Sequence, residues 1–183
     1  MKLLGIIAVL GAMIVGLPAQ AQAQADAKAA FFGNLRALCG ATFEGASVFP
    51  REAGDAFAGK KLVAHVAGCT ASEIRVPFVV GTDRSRTWII TLTGNGLQLK
   101  HDHRHEDGTP DAQTMYGGMA TIAGTPHAQS FAADAYTAEL IPAAATNVWT
   151  LSVSPDGAGM TYYLERDGKP RFKAELVRVA NKP

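Results

Sequence analysis

Residues 86–105 read R-T-W-I-I-T-L-T-G-N-G-L-Q-L-K-H-D-H-R-H, and this stretch decides the fold. Alternate side chains of a β-strand point to opposite faces, so each half of the stretch separates an apolar face from a polar one. The Asn95-Gly96 pair between the halves is a strong signal for a two-residue hairpin turn. The stretch therefore predicts two antiparallel strands.

Placing Asn95 and Gly96 at the centre of the turn predicts the register of the two strands. One face then carries the pairs Leu92–Leu99, Ile90–His101, Trp88–His103 and Arg86–His105. The opposite face is almost wholly polar, with the pairs Thr93–Gln98, Thr91–Lys100, Ile89–Asp102 and Thr87–Arg104. The first face is the better candidate for the interior of the protein.

Three of the five histidines of the chain share that first face, at positions 101, 103 and 105. Residues two apart on a strand project in the same direction, so the three imidazoles point the same way. We expect them to form the polar end of an inward wall that Trp88 and Arg86 share. This wall is the main functional feature of the sequence.

The first 25 residues have the layout of a secretory signal peptide, with a positive start, an apolar run and A-x-A cleavage signals ending at Ala21, Ala23 and Ala25. The apolar run Leu3–Leu17 is shorter than the about 20 residues that span a membrane, although a retained anchor is the alternative. We therefore expect cleavage, with residues 26–183 forming one domain in the periplasm or outside the cell.

The charge balance restricts the partners of the mature chain. Loss of Lys2 with the signal peptide lowers the basic residues from 17 to 16, against 16 acidic ones. Nucleic acids and anionic membranes select proteins with a basic excess, so neither is expected as a partner. The two cysteines, Cys39 and Cys69, predict a disulfide in an exported protein, with buried free thiols as the alternative.

The rest of the mature chain is strand-like apart from a short amphipathic helix at Asp26–Leu38 and an ambiguous segment at Asp134–Ala145. Short runs rich in β-branched and aromatic residues alternate with turn residues. A single domain with one helix and many short strands predicts an all-β, up-and-down antiparallel β-barrel of about 8–10 strands.

A second hairpin is predicted at the end of the chain, where Asp167-Gly168 forms the turn. In this register Tyr163 pairs with Phe172 and Thr161 with Ala174, and Glu165, Leu176 and Arg178 share that inward face. Three other residues then point outward: Arg171, Lys173 and Glu175. An inward Arg178 needs a carbonyl, carboxylate or aromatic partner.

The short helix, the first-strand segment Gly40-Ala41-Thr42-Phe43-Glu44-Gly45, the sequential strands and the late Arg178 resemble the calycins, which are the lipocalins, fatty-acid-binding proteins and their bacterial relatives. The resemblance implies a barrel that encloses a ligand, and a structural role for Arg178 near Phe43. The lipocalin G-x-W signature is absent, since Thr42 stands two places after Gly40. The D-R-S-R-T-W and K-H-D-H-R-H strings also resemble a group of uncharacterised secreted bacterial proteins.

Three hypotheses compete for the histidine face. The first is a site for a small apolar or anionic molecule, lined by Arg86, Trp88, His101, His103 and His105, with Tyr163 and Arg178 as lesser candidates. No cofactor is needed in that case. The chain lacks G-x-S-x-G, H-E-x-x-H and Gly-rich phosphate-loop motifs, so an enzymatic function is less expected than binding.

The second hypothesis is a zinc or haem site, because H-x-H on a strand can direct two imidazoles at one ion. His101 and His105 lie about 13 Å apart along a strand, so only two of the three, such as His101 and His103, suit one ion. A further ligand would come from His65, His127, Glu106 or Asp111. The third hypothesis is a structural or interaction domain with a filled core.

Overall fold

A computed structural model describes residues 18–49, 55–121 and 123–180. It contains helix α1 (Ala19–Ala37), a second helix α2 (Ala135–Leu140) and a short 3-10 turn (Pro142–Ala144). The ten strands are β1 (Thr42–Phe49), β2 (Leu62–His65), β3 (Glu73–Val80), β4 (Asp83–Thr93), β5 (Gly96–His103), β6 (Tyr116–Met119), β7 (Ala128–Ala132), β8 (Val148–Val153), β9 (Gly159–Arg166) and β10 (Lys169–Val179).

All ten strands belong to one antiparallel sheet with the order β6-β5-β4-β3-β2-β1-β10-β9-β8-β7. The sheet curls into a nearly closed up-and-down barrel, which confirms the predicted fold class and is compatible with a calycin-like organisation. Successive strands run in opposite directions, so their connections alternate between two ends of the barrel. We call these the helix end, which α1 covers, and the open end.

The hairpin of β4 and β5 forms as predicted, but its register differs by two residues. Arg86 lies opposite His103 and Trp88 opposite His101, because Gly94 and Asn95 form the turn and Thr93 pairs with Gly96. The Thr93 hydroxyl accepts a hydrogen bond from the Asn95 amide and donates one to the Gly96 carbonyl. The turn is therefore centred one residue earlier than predicted. A shift of two preserves the face of every side chain.

The hairpin of β9 and β10 has the predicted turn but not the predicted pairing. Lys169 lies opposite Arg166 beside the turn, and a bulge after Pro170 then moves the register by one residue. Proline has no amide hydrogen for the ladder, which explains a bulge at this position. The shift exchanges the two faces of β9, whereas Phe172, Ala174 and Leu176 of β10 keep their predicted inward face. Tyr162 and Leu164 therefore point inward, and the predicted inward positions of Tyr163 and Glu165 are wrong.

The helix and the disulfide close the helix end. Helix α1 begins at Ala19, seven residues before the predicted Asp26, in an Ala-Gln repeat of good helix-forming composition. Its buried residues are Phe31, Phe32 and Leu35. The predicted disulfide between Cys39 and Cys69 is present and ties the end of α1 to the β2–β3 connection.

Most of the predicted signal peptide, residues 1–17, lies outside the described residues. Within the described part of the chain, no helix has the length and apolar character that a membrane span requires.

The barrel has a seam between β6 and β7, which share no ladder of backbone hydrogen bonds in the sheet order. The Thr137 hydroxyl of α2 bridges the seam: it accepts the amide of Gly117 at 2.7 Å and donates to the Gly117 carbonyl at 2.8 Å. The Asp134 amide also donates to the Gly117 carbonyl, and the Asp134 carboxylate pairs with Lys100 of β5. The ambiguous segment 134–145 is thus a strap that closes the barrel.

The interior is filled from the helix end to the level of Trp88. Phe31, Leu35, Phe43, Phe131 and Leu97 are each fully buried between α1 and the sheet. Because the packed core occupies this part of the barrel, the cavity at the candidate site lies toward the open end.

Candidate functional site

The open end contains a cavity of about 470 Å³. Its aromatic lining residues come from five separate parts of the chain and are Phe57, Tyr116, Trp149, Tyr162 and Phe172. Ile141 and Ala144 of the strap add aliphatic surface, as does Leu164 of β9. A concave volume of this size, lined by aromatic and aliphatic surface together with polar groups, is typical of a small-molecule site.

His101 lies at the level where the packed core meets the cavity. Its side chain is 3% exposed and stacks on the Tyr116 ring, with ring centroids 4.6 Å apart. The Trp149 ring lies 5.1 Å away on a tilted plane. The first histidine of the predicted wall therefore faces inward, within a box of aromatic rings.

Hydrogen bonds fix the protonation state of His101. The Tyr116 carbonyl, 3.1 Å from Nδ1, can only accept, so Nδ1 carries the ring proton. Nε2 then accepts from the Tyr162 hydroxyl at 2.7 Å. Burial lowers the pKa of His101 to about 3, so the imidazole is neutral. Burial also raises the pKa of Tyr162 well above its ordinary value, so the hydroxyl keeps its proton.

Stacked rings hold Tyr162 in place. Trp88 lies between the rings of Phe78 and Tyr162, with centroid separations of 4.4 and 4.5 Å. Trp88 is buried in this stack and is absent from the residues that line the cavity. Its predicted inward position is correct, but its contacts are with the supporting layer beneath the cavity.

His103 lines the cavity and is half-buried. Its Nε2 lies 3.1 Å from the Tyr116 hydroxyl, and its backbone amide donates to the Thr114 hydroxyl at 2.8 Å. Burial and the Arg86 guanidinium lower the pKa of His103. Burial raises the pKa of Tyr116 to about 12, so its hydroxyl is protonated at neutral pH.

Three guanidinium groups line the cavity, and they come from two sides of the barrel. Arg86 of β4 forms an ion pair with Asp83 and lies over the Phe57 ring. Arg166 of β9 donates from Nε to the Asn147 side chain at 2.9 Å, and Arg171 occupies the β10 bulge. Among the described residues, neither Arg166 nor Arg171 has a carboxylate partner within ion-pair distance.

His105 does not join the other two histidines. β5 ends at His103, and the chain then turns so that the His105 amide donates to the Thr109 carbonyl. His105 is exposed and lines a separate surface groove with Arg84, Arg104 and Glu106. The alternation that predicted three inward imidazoles applies only while the chain remains a strand.

Two further candidates lie away from the cavity. Tyr163 is on the outer face, where its hydroxyl donates to Glu165 at 3.0 Å. Arg178 lies opposite Phe43 in the β1–β10 pair, as the calycin resemblance implies, but at the helix end and exposed to solvent.

Sequence reasoning missed the residues that the bulge and the strap bring to the cavity. Tyr162, Arg166 and Arg171 were placed wrongly or left out, and Pro170 was the signal for the bulge. Tyr116 and Trp149 lie on strands far apart in the sequence, and no local pattern indicates that they meet.

Comparison with known proteins finds no matching family model, no similar curated protein and no similar solved structure.

The cavity geometry does not favour the metal hypothesis. Both ring nitrogens of His101 are engaged in hydrogen bonds, so this imidazole has no free lone pair for an ion. In the described part of the chain, no three His, Cys, Asp or Glu side chains lie close enough to hold a metal. Of the other suggested ligands, Asp111 lines the cavity with His103, whereas His65, His127 and Glu106 do not.

Proposed function

We propose that this protein is an exported, calycin-like binding protein that holds a small amphipathic anion in the cavity at the open end of its barrel. The observation that carries the proposal is the combination of an aromatic cavity with the guanidiniums of Arg166 and Arg171, which lack carboxylate partners among the described residues. Burial of the ligand's apolar part and charge pairing at its head group would both contribute to affinity.

The arrangement of the lining supports one end of the ligand being apolar. Trp149, Tyr162 and Phe172 line the cavity and are themselves buried. Aromatic surface of this kind favours hydrocarbon or ring systems and gives little selectivity among them. The expected ligand therefore belongs to the class of molecules that have an apolar body and an anionic group.

The charges of the lining support an anionic head group. Arg166 donates from Nε to Asn147, and its terminal nitrogens have no hydrogen-bond or ion-pair partner among the residues that the structure describes. Arg171 lies at the bulge of β10 and also lines the cavity. Guanidinium groups bind carboxylate, sulfonate and phosphate through paired hydrogen bonds. Two carboxylates, Asp55 and Asp111, also line the cavity. Each accepts a hydrogen bond from a backbone amide, Asp55 from Phe57 and Asp111 from Gln113.

The Cys39–Cys69 disulfide supports export, because such bonds persist in oxidising compartments such as the periplasm and the extracellular space. The signal-peptide pattern of the first 25 residues agrees with this location.

Two dyes with the same aromatic body test the proposal. Anilinonaphthalene sulfonate carries a permanent negative charge, and N-phenylnaphthylamine lacks the sulfonate. We expect saturable, one-to-one binding of both, followed by dye fluorescence, with the sulfonate bound more tightly. Absence of saturable binding of either dye to the folded protein would contradict the proposal.

Arginine variants then test the role of charge. Arg166→Gln combined with Arg171→Gln should weaken binding of the sulfonate by about tenfold or more, from about 1 kcal/mol per partly exposed contact. Binding of the neutral dye should change less than about twofold. Arg178→Gln, at the helix end, is the matched control and should leave both affinities unchanged. Equal losses for both dyes in the double variant would show that the arginines do not select the anion.

A further inference from the structure

We propose that Tyr116 and His103 form a hydrogen-bond switch that couples anion binding in the cavity to the uptake of one proton. This inference rests on the proposed function, since it assigns a regulation to the same cavity. It accounts for a histidine at the cavity wall whose ring is paired with a tyrosine that also lines the cavity.

The geometry of the pair gives its two states. The Tyr116 hydroxyl lies 3.1 Å from His103 Nε2, and either group can donate while the imidazole is neutral. When His103 is protonated, both ring nitrogens carry hydrogens, so Nε2 must donate to the tyrosine oxygen. The hydroxyl proton of Tyr116 is then released to bond another acceptor, and an anion in the cavity provides one.

Protonation thus changes the cavity wall in two ways that both favour an anion. The imidazole becomes a cation, and Tyr116 becomes a free donor. Because Tyr116 has a pKa of about 12, it stays protonated in both states and contributes a reorientable hydroxyl and no charge. An anion bound nearby stabilises the imidazolium, so ligand binding and proton binding strengthen each other equally.

The charged groups around His103 act on its pKa in both directions. Arg86 of β4 opposes protonation, whereas three carboxylates favour it: Asp83, Asp102 and Asp111. Asp83 forms an ion pair with Arg86, and Asp102 forms one with Arg104. Burial also opposes the charged form. An added anion would offset the effect of the Arg86 charge and raise the pKa of His103 in the complex.

His101 shows why the switch is at His103 and not at its neighbour. Its Nδ1 bonds the Tyr116 carbonyl and its Nε2 bonds the buried Tyr162 hydroxyl, so neither nitrogen is available to another partner. Its pKa of about 3 keeps His101 neutral at weakly acidic pH. The two histidines of β5 therefore have separate roles in their tyrosine pairs: His101 keeps one protonation state, and His103 responds to pH.

The test is the pH dependence of the affinity for anilinonaphthalene sulfonate, whose charge does not change with pH. In the full-length protein we expect binding to strengthen by at least about fivefold from about pH 7.5 to about pH 5, with a limit of tenfold per pH unit for one proton. His103→Gln should remove this pH dependence. Tyr116→Phe should reduce it, because the imidazolium remains but the released hydroxyl donor is lost.

His105→Gln is the matched control, since His105 lies outside the cavity. It should keep the full pH dependence, and the neutral dye should bind equally at each pH. Tight binding with the same affinity at every pH, or pH dependence that persists in His103→Gln, would overturn the coupling and leave the proposed function standing. Absence of saturable binding at every pH would overturn both.

Discussion

The Tyr162 hydroxyl donates to Nε2 of His101 across 2.7 Å, in the layer that separates the packed core from the cavity. The two residues are 61 positions apart in the sequence and come from β9 and β5. The bond satisfies two buried polar groups at once and positions the aromatic floor of the site. Its removal leaves a nitrogen of the buried His101 ring without a hydrogen-bond donor.

Tyr162→Phe should therefore destabilise the fold by about 1–3 kcal/mol, the usual cost of an unsatisfied buried group. Tyr163→Phe is the matched control, because that hydroxyl bonds Glu165 on the outer face and its loss should cost less than about 0.5 kcal/mol. Urea unfolding followed by circular dichroism measures both. Equal midpoints for the two variants would contradict the assignment of Tyr162 to the interior.

Acid should destabilise the protein partly through His101. Its pKa falls from about 6.5 in the unfolded chain to about 3 in the fold, so the unfolded state binds more protons between these values. The contribution to stability is complete above about pH 6.5 and is lost, at up to about 1.4 kcal/mol per pH unit, as the pH falls toward about 3.

The variant His101→Gln isolates this contribution, since glutamine keeps one donor and one acceptor but does not titrate. We expect its unfolding free energy to fall less steeply than that of the wild type between about pH 6 and about pH 4. Parallel pH profiles for the two proteins would show that His101 is not held neutral by the fold.

The seam between β6 and β7 depends on a glycine. A Cβ atom at position 118 would lie 1.8 Å from the Ala132 carbonyl oxygen, a backbone atom that cannot move without opening the barrel. Gly118→Ala should cost about 3 kcal/mol, at the upper end for overpacking. Gly33→Ala in α1 meets no atom within 4 Å and should stabilise the protein by about 0.5–1 kcal/mol. Thermal unfolding distinguishes the pair, and similar shifts would contradict a closed seam.

The disulfide should contribute substantially to stability, because it closes a loop across 30 residues of sequence. In the chain-entropy relation such a loop is worth about 3–4 kcal/mol. We expect the Cys39→Ser/Cys69→Ser double variant to unfold at correspondingly lower urea concentration. Reductant should reproduce this loss in the wild type and have no effect on the variant. A wild type insensitive to reductant would mean that the bond stabilises little.

The hairpins show how far local patterns reach. For β4 and β5, the alternation assigned each residue to its correct face, and the two-residue change in register left that assignment intact. For β9 and β10, one bulge after Pro170 exchanged the faces of β9 but not those of β10 from Phe172 onward, so Tyr162 replaced Tyr163 inside. Alternation predicts the correct face of each side chain when the register shifts by an even number of residues, and the wrong face when it shifts by an odd number. A bulge at a proline can introduce such an odd shift.

The sequence by itself determined the strands, the antiparallel barrel and the cysteine pair, because strand periodicity and turn residues are local signals and the chain has two cysteines that can pair only with each other. Only the tertiary structure decided which histidines face inward and where the cavity lies. Those features depend on how distant strands meet: Tyr116, Trp149 and Tyr162 converge only after the sheet curls and the strap closes it. Contacts of that kind leave no periodic trace in the chain, since each arises from packing between segments that are remote in sequence.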